Sequence, residues 1–190
     1  TGVVLWETPW NGSSNSTASA SQTIQVADDR LLVSKGYSGG AQLLSIKHEA
    51  AKTGGEGESK LQGNGEWTIE KVWQNHGVLK TKQNNVIVKD DCIYGLSDGL
   101  MQCVDLKTGK LRWRGADYGH GQLLRIGDVL LVLTEEGEAA LVEFNPAKFV
   151  ELAKIQAIRD KTWNNPALSG NLLVIRNTKE AACYELPLAR

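Results

Sequence analysis

The sequence carries no excess of positive charge: 21 Lys and Arg stand against 22 Asp and Glu, for a formal net charge of −1. Without a cationic surplus there is no counterion-release term to drive nucleic-acid binding and nothing to draw the chain to an anionic membrane. No apolar run reaches about 18 residues, so no segment reads as a membrane-spanning helix. Cysteine is scarce, at Cys92, Cys103 and Cys183. An odd number at wide spacing fits neither a disulfide framework nor a zinc site. Each lies among apolar residues in a predicted strand and reads as a small buried hydrophobe, with a Cys92–Cys103 cross-strand bridge as the alternative. No signal peptide is present, and Thr1-Gly2 falls inside a repeat motif, which predicts a piece of a longer chain.

Motifs for assembled chemistry are also missing. His48, His76 and His120 are the only histidines, and they fall in different repeats without H-x-x-x-H spacing. C-x-x-C and a G-K-[ST] phosphate loop are absent, and Tyr118-Gly119-His120-Gly121 is not a nucleophile motif. Asn11-Gly12-Ser13 and Asn15-Ser16-Thr17 match glycosylation sequons and read as a solvated polar loop.

What is present is a repeat. Residues 85–114, NVIVKDDCIYGLSDGLMQCVDLKTGKLRWR, hold four short apolar or alternating segments separated by tight-turn signals at Asp90-Asp91, Asp98-Gly99 and Thr108-Gly109. Four short antiparallel strands joined by such turns make one propeller blade. The turn-then-apolar step recurs at Asp29, Asp91, Asp128 and Asn171; the last two intervals, 37 and 43 residues, are close to the roughly 40–50-residue period of propeller blades. The longer first interval contains residues 50–65, a Gly- and charge-rich stretch without periodicity that reads as an inserted exposed loop. A second marker, Thr-x-x-x-x-Trp, occurs as Thr1–Trp6, Thr68–Trp73 and Thr108–Trp113, and in degraded form as Pro146–Glu151. Phe149–Ile158 has some helical character, but the repeat register predicts a strand in its first half.

DGLMQCVDLKTGKLRWRG closely resembles the consensus of the pyrroloquinoline-quinone-like repeat, and TGVVLW resembles the tail of another such repeat. That family includes quinoprotein dehydrogenases and the propeller lipoprotein of outer-membrane assembly. The resemblance implies an all-β propeller of four-stranded blades, about four of them here, in a single partial domain spanning 1–190. It implies a ring of seven or eight blades in the parent, and a bacterial, periplasmic or otherwise extracytoplasmic location. A pyrroloquinoline-quinone cofactor is implied by resemblance alone. The Cys-Cys pair common in the dehydrogenases is missing and no calcium cage is evident, so the residues point to no cofactor, no metal and a non-catalytic scaffold. Part of a quinone-dependent dehydrogenase and a structural, oligomerising fragment are the alternatives.

The expected blades lie near 22–74, 82–115 and 121–155, with a three-stranded unit at 164–188 and TGVVLW as an isolated outer strand. The ring is open to three readings: completion by a larger parent, closure on itself, or pairing as a homodimer of half-rings. Trp6, Trp73 and Trp113 are expected to dock on neighbouring blades. The outer-to-inner connections should line one face and collect Trp10, Asn75, His76, Tyr118, His120, Trp163 and Asn164 as residues that bind a protein or polymer ligand.

Overall fold

The computed structural model of the chain describes residues 2–10, 20–49 and 65–187. Fifteen strands and no α-helix occur among the described residues. The first sheet holds β1 (Ile24–Ala27), β2 (Arg30–Lys35), β3 (Gly40–Glu49) and β4 (Glu66–Asn75). The second holds β5 (Ile87–Lys89), β6 (Cys92–Ser97), β7 (Leu100–Asp105) and β8 (Leu111–Asp117). The third holds β9 (Gln122–Ile126), β10 (Val129–Leu133), β11 (Glu138–Glu143) and β12 (Glu151–Gln156). The fourth has three strands, β13 (Ala167–Ser169), β14 (Leu172–Arg176) and β15 (Ala181–Glu185). Within each sheet the strands pair antiparallel in chain order. The blades thus fall where the repeat predicts them. Nearly all of the 50–65 insertion lies outside the described residues, between β3 and β4.

The turn chemistry explains the hairpins. Asp98 and Gly99 both have positive φ, 48° and 97°. Such a two-residue turn matches the right-handed twist of its flanking strands. The core lies between sheets. One cluster joins Leu32 and Leu43 of the first blade to Ile93 and Val104 of the second. Another joins Tyr94, Cys103 and Trp113 to Leu130, Val132 and Val142. The third joins Leu131 and Leu133 to Leu173 and Ile175. Each blade therefore buries its faces against its chain neighbours, as repeat architectures require.

Two tryptophans lock these contacts. The Trp73 indole donates to the Leu106 carbonyl of the next blade at 2.9 Å. Trp113 donates to the Asn145 carbonyl at 2.8 Å. Gly109, at φ +66°, lies under the Trp73 ring, where a Cβ would come within 2.5 Å of Cε3. Gly109→Ala is expected to cost about 1–3 kcal/mol of stability, measured by denaturant titration; an effect below about 0.5 kcal/mol would show that this contact is not tight.

Four expectations need correction. The third-blade tryptophan position is Ala153, not Glu151: Trp73, Trp113 and Ala153 stand opposite the equivalent residues Leu43, Cys103 and Leu141. The turn between β11 and β12 is two residues longer than that between β7 and β8, which displaces the sequence marker. The segment at Phe149–Ile158 is a strand, but it begins only at Glu151. Cys183 is exposed, whereas Cys92 and Cys103 are buried, and all three are free thiols. Cys103 is covered by β8, while among the described residues β15 has no outer strand beside it. Finally, Gly2–Trp10 forms no strand, and Val3, Val4 and Leu5 are exposed, because no sheet edge lies against them.

Candidate functional site

The loops leading from each outer strand to the next inner strand meet the hairpin turns between the two middle strands of the blades. Tyr118 N–H donates to the Gly99 carbonyl, Glu135 N–H to the Tyr118 carbonyl, and Thr162 N–H to the Glu135 carbonyl. This relay ties three blades together at one end of the molecule. Its centre is the Glu135 side chain, at the β10–β11 turn.

One Glu135 oxygen accepts the His120 backbone N–H at 2.8 Å. The other accepts the Trp163 indole N–H at 3.0 Å and lies 2.5 Å from Lys161 Nζ. Lys161 Nζ also sits 4.6 Å above the Trp163 ring. Partial burial raises the Glu135 pKa, but these donors outweigh it and hold the carboxyl at about 2. Gly119 admits the carboxylate: it has φ +61°, and a Cβ there would stand 2.6 Å from Oε2. The result is a tryptophan that is 47% exposed while its polar atom is fixed.

The other expected site residues have different roles. Tyr118 is buried, and its hydroxyl donates to Glu151 Oε2 at 2.5 Å. Burial first, and then Glu151, raise its pKa. It supports the face from below rather than presenting a contact. Asn75 turns to the second blade and donates from Nδ2 to the Gly109 carbonyl at 2.8 Å. His76 is exposed, with Nδ1 2.8 Å from the Gly39 carbonyl and Nε2 2.9 Å from Gln74 Nε2. Asn164 is half-buried, its N–H bonded to Thr162 Oγ1 at 3.2 Å. Trp10 is half-buried, and its Nε1 is buried without a hydrogen-bond partner. The structure gathers His120 and Trp163 around Glu135; His76 and Trp10 do not join that cluster.

Sequence reasoning missed Glu135, and it also missed an amide series. The strand registers make Ile24, Ile87, Leu124 and Ala167 equivalent. Two residues before each stands an amide: Gln22, Asn85, Gln122 and Asn165. Gln122 Nε2 bridges the Gln83 and Trp163 carbonyls at 2.9 and 3.1 Å, and Gln22 N–H donates to Asn85 Oδ1 at 2.7 Å. Asn84, next in the chain to Asn85, is buried; its Oδ1 has no partner while its Nδ2 donates to the Gly121 carbonyl at 3.3 Å. The signal was available as an amide recurring two residues ahead of each inner strand, but only once the register was known.

Fold and face together define a partial β-propeller with a polar, aromatic loop surface, and the described residues include no group of three or more His, Cys, Asp or Glu that could hold a metal ion. Solved structures place it more closely. The chain is similar to BamB from Moraxella catarrhalis, with a TM-score of 0.60 at 12% identity, over 88% of this chain and 46% of that one. It is also similar to the computationally designed Ika4 protein, with a TM-score of 0.58 at 8% identity, over 96% of this chain and all of that one. At these identities the likeness is one of fold. The chain spans less than half the length of BamB. The sequence matches no family model and no curated protein.

Proposed function

We propose that the chain is a non-catalytic scaffold that holds an extended protein segment or polymer on this loop face. The supporting observation is Trp163, an exposed indole whose N–H is already committed to Glu135. A ring so fixed can lay its apolar face on a ligand with little further loss of side-chain freedom, which is how aromatic anchors act at interfaces. Gln122, buried and bonded to the Gln83 and Trp163 carbonyls, holds the backbone beneath that ring in place. An extracytoplasmic site of action belongs to the same proposal, on the strength of the repeat resemblance.

Extended peptides selected from a displayed library on the wild-type chain provide the test. Trp163→Ala should weaken them by at least about tenfold, the scale of a hot-spot aromatic, with little change in melting temperature. Unaltered affinity would place recognition elsewhere.

A further inference from the structure

We propose that the open edge of β15 is completed by residues 2–6 of a second copy of this chain, closing two half-rings into one. In three blades the third strand is covered by an outer strand, and among the described residues only β15 is bare. Its register defines what it lacks. Leu172 pairs with Glu185 as Cys92 pairs with Asp105, so Glu185 corresponds to Asp105 and Cys183 to Cys103. In the second blade the missing element is Thr108–Trp113, with Trp113 opposite Cys103. Asp105 Oδ1 accepts the Thr108 N–H and hydroxyl at 2.9 and 2.8 Å. A strand of Thr-Gly-x-apolar-x-Trp pattern is therefore what β15 would take.

The chain carries such a strand, unused. Thr1-Gly2-Val3-Val4-Leu5-Trp6 aligns residue for residue with Thr108–Trp113. Gly2 already has φ +70°, beside +66° for Gly109, yet a Cβ on Gly2 would meet nothing within 4 Å. The acceptor side is also unfinished. An apolar pocket of about 180 Å³ lies between the third and fourth blades, lined by Leu131, Leu141, Ala153, Ile155, Tyr184 and Leu186. Ile155 is 57% exposed. It occupies the position of Asn75, which in the first blade bonds the Gly109 carbonyl of the next turn. A docked Gly2 turn would cover it.

A second copy fits better than the same chain, in which Val3–Leu5 stay exposed while β15 stays bare. Exchange between two copies is reciprocal, so one two-fold axis satisfies both edges.

The 190-residue chain should scatter light as a particle of twice 20.7 kDa across a concentration series. Val4→Pro, in an exposed segment outside the folded sheets, should leave a folded monomer whose unfolding midpoint no longer rises with protein concentration, as the wild type's does. Trp6→Cys should oxidise onto Cys183 and give a covalent dimer on a non-reducing gel. A monomeric wild type, a dimer indifferent to Val4→Pro, or a disulfide from the Trp6→Cys thiol to Cys183 of the same chain would each overturn the proposal.

Discussion

Trp113→Ala is expected to destabilise the folded chain by about 3–5 kcal/mol, the cost of emptying a large aromatic site in a packed interior. The ring is 8% exposed. Its centroid lies 6.0 Å from Tyr94 and 5.7 Å from Phe149, so one side chain joins the second blade to the turn that opens the last strand of the third. Removing it leaves a void between sheets and also orphans the Asn145 carbonyl. Trp113→Phe separates the two effects: it keeps much of the buried ring and loses only the N–H, for about 1 kcal/mol. Urea titration reads both, as a lower midpoint at constant slope. A loss below about 1 kcal/mol for alanine would mean that the blades are not held together by this ring.

Glu135→Gln should show a pH-dependent deficit. The Glu135 carboxyl lies at about 2, against 4.5 for an ordinary glutamate. Partial burial pushes it up, but the His120 N–H, Lys161 and the Trp163 indole push it down further. A carboxyl depressed by folding stabilises the protein above its unfolded value and loses that contribution as the pH falls through its folded value. The window is therefore between pH 4.5 and about 2. The Glu135 side chain is 14% exposed but its Lys161 partner is 55% exposed, so solvent screens that pair and the backbone and indole donors carry more of the effect. At neutral pH the variant should be less stable by roughly 2–3 kcal/mol. That gap should close as the pH falls toward about 2. Denaturant midpoints of both proteins at neutral and acid pH would show it. A gap independent of pH would assign the loss to packing. The variant should also loosen Trp163, read as a red-shifted or more quenchable tryptophan emission.

Much of the fold is legible in the sequence because tight turns have strict residue requirements. Asp98-Gly99 needs two left-handed residues, and the apolar steps after Asp29, Asp91, Asp128 and Asn171 mark one strand per blade. The tryptophan marker misled in the third blade because loop length is not written in the pattern: two extra residues before β12 moved the position from Glu151 to Ala153. Tyr118 reads as a loop aromatic and hence as surface. Its ring lies 6.4 Å from Phe149, a contact between blades that sequence order does not reveal. Glu135 was invisible for the same reason. Its partners His120, Lys161 and Trp163 come from loops on either side of its own hairpin, and an acidic residue in a polar turn has no local signature. The amide series lay in plain view at a fixed distance from each inner strand, but it needed the paired register to be seen.

The outer strand of each complete blade is out of step with its neighbour at one equivalent place, and the second blade has a further shift between Leu100 and Gln102. The register slips between Leu43 and Leu44, between Cys103 and Val104, and between Leu141 and Val142, which are equivalent positions. Val72, Arg112 and Leu152 are the extra residues that result. Such a bulge bends and over-twists the strand that carries it. In the strand proposed to complete β15, Leu5 precedes Trp6 as Arg112 precedes Trp113. That strand would therefore carry the same kink, which sets its fit apart from the flat, in-register stacking that builds fibrils.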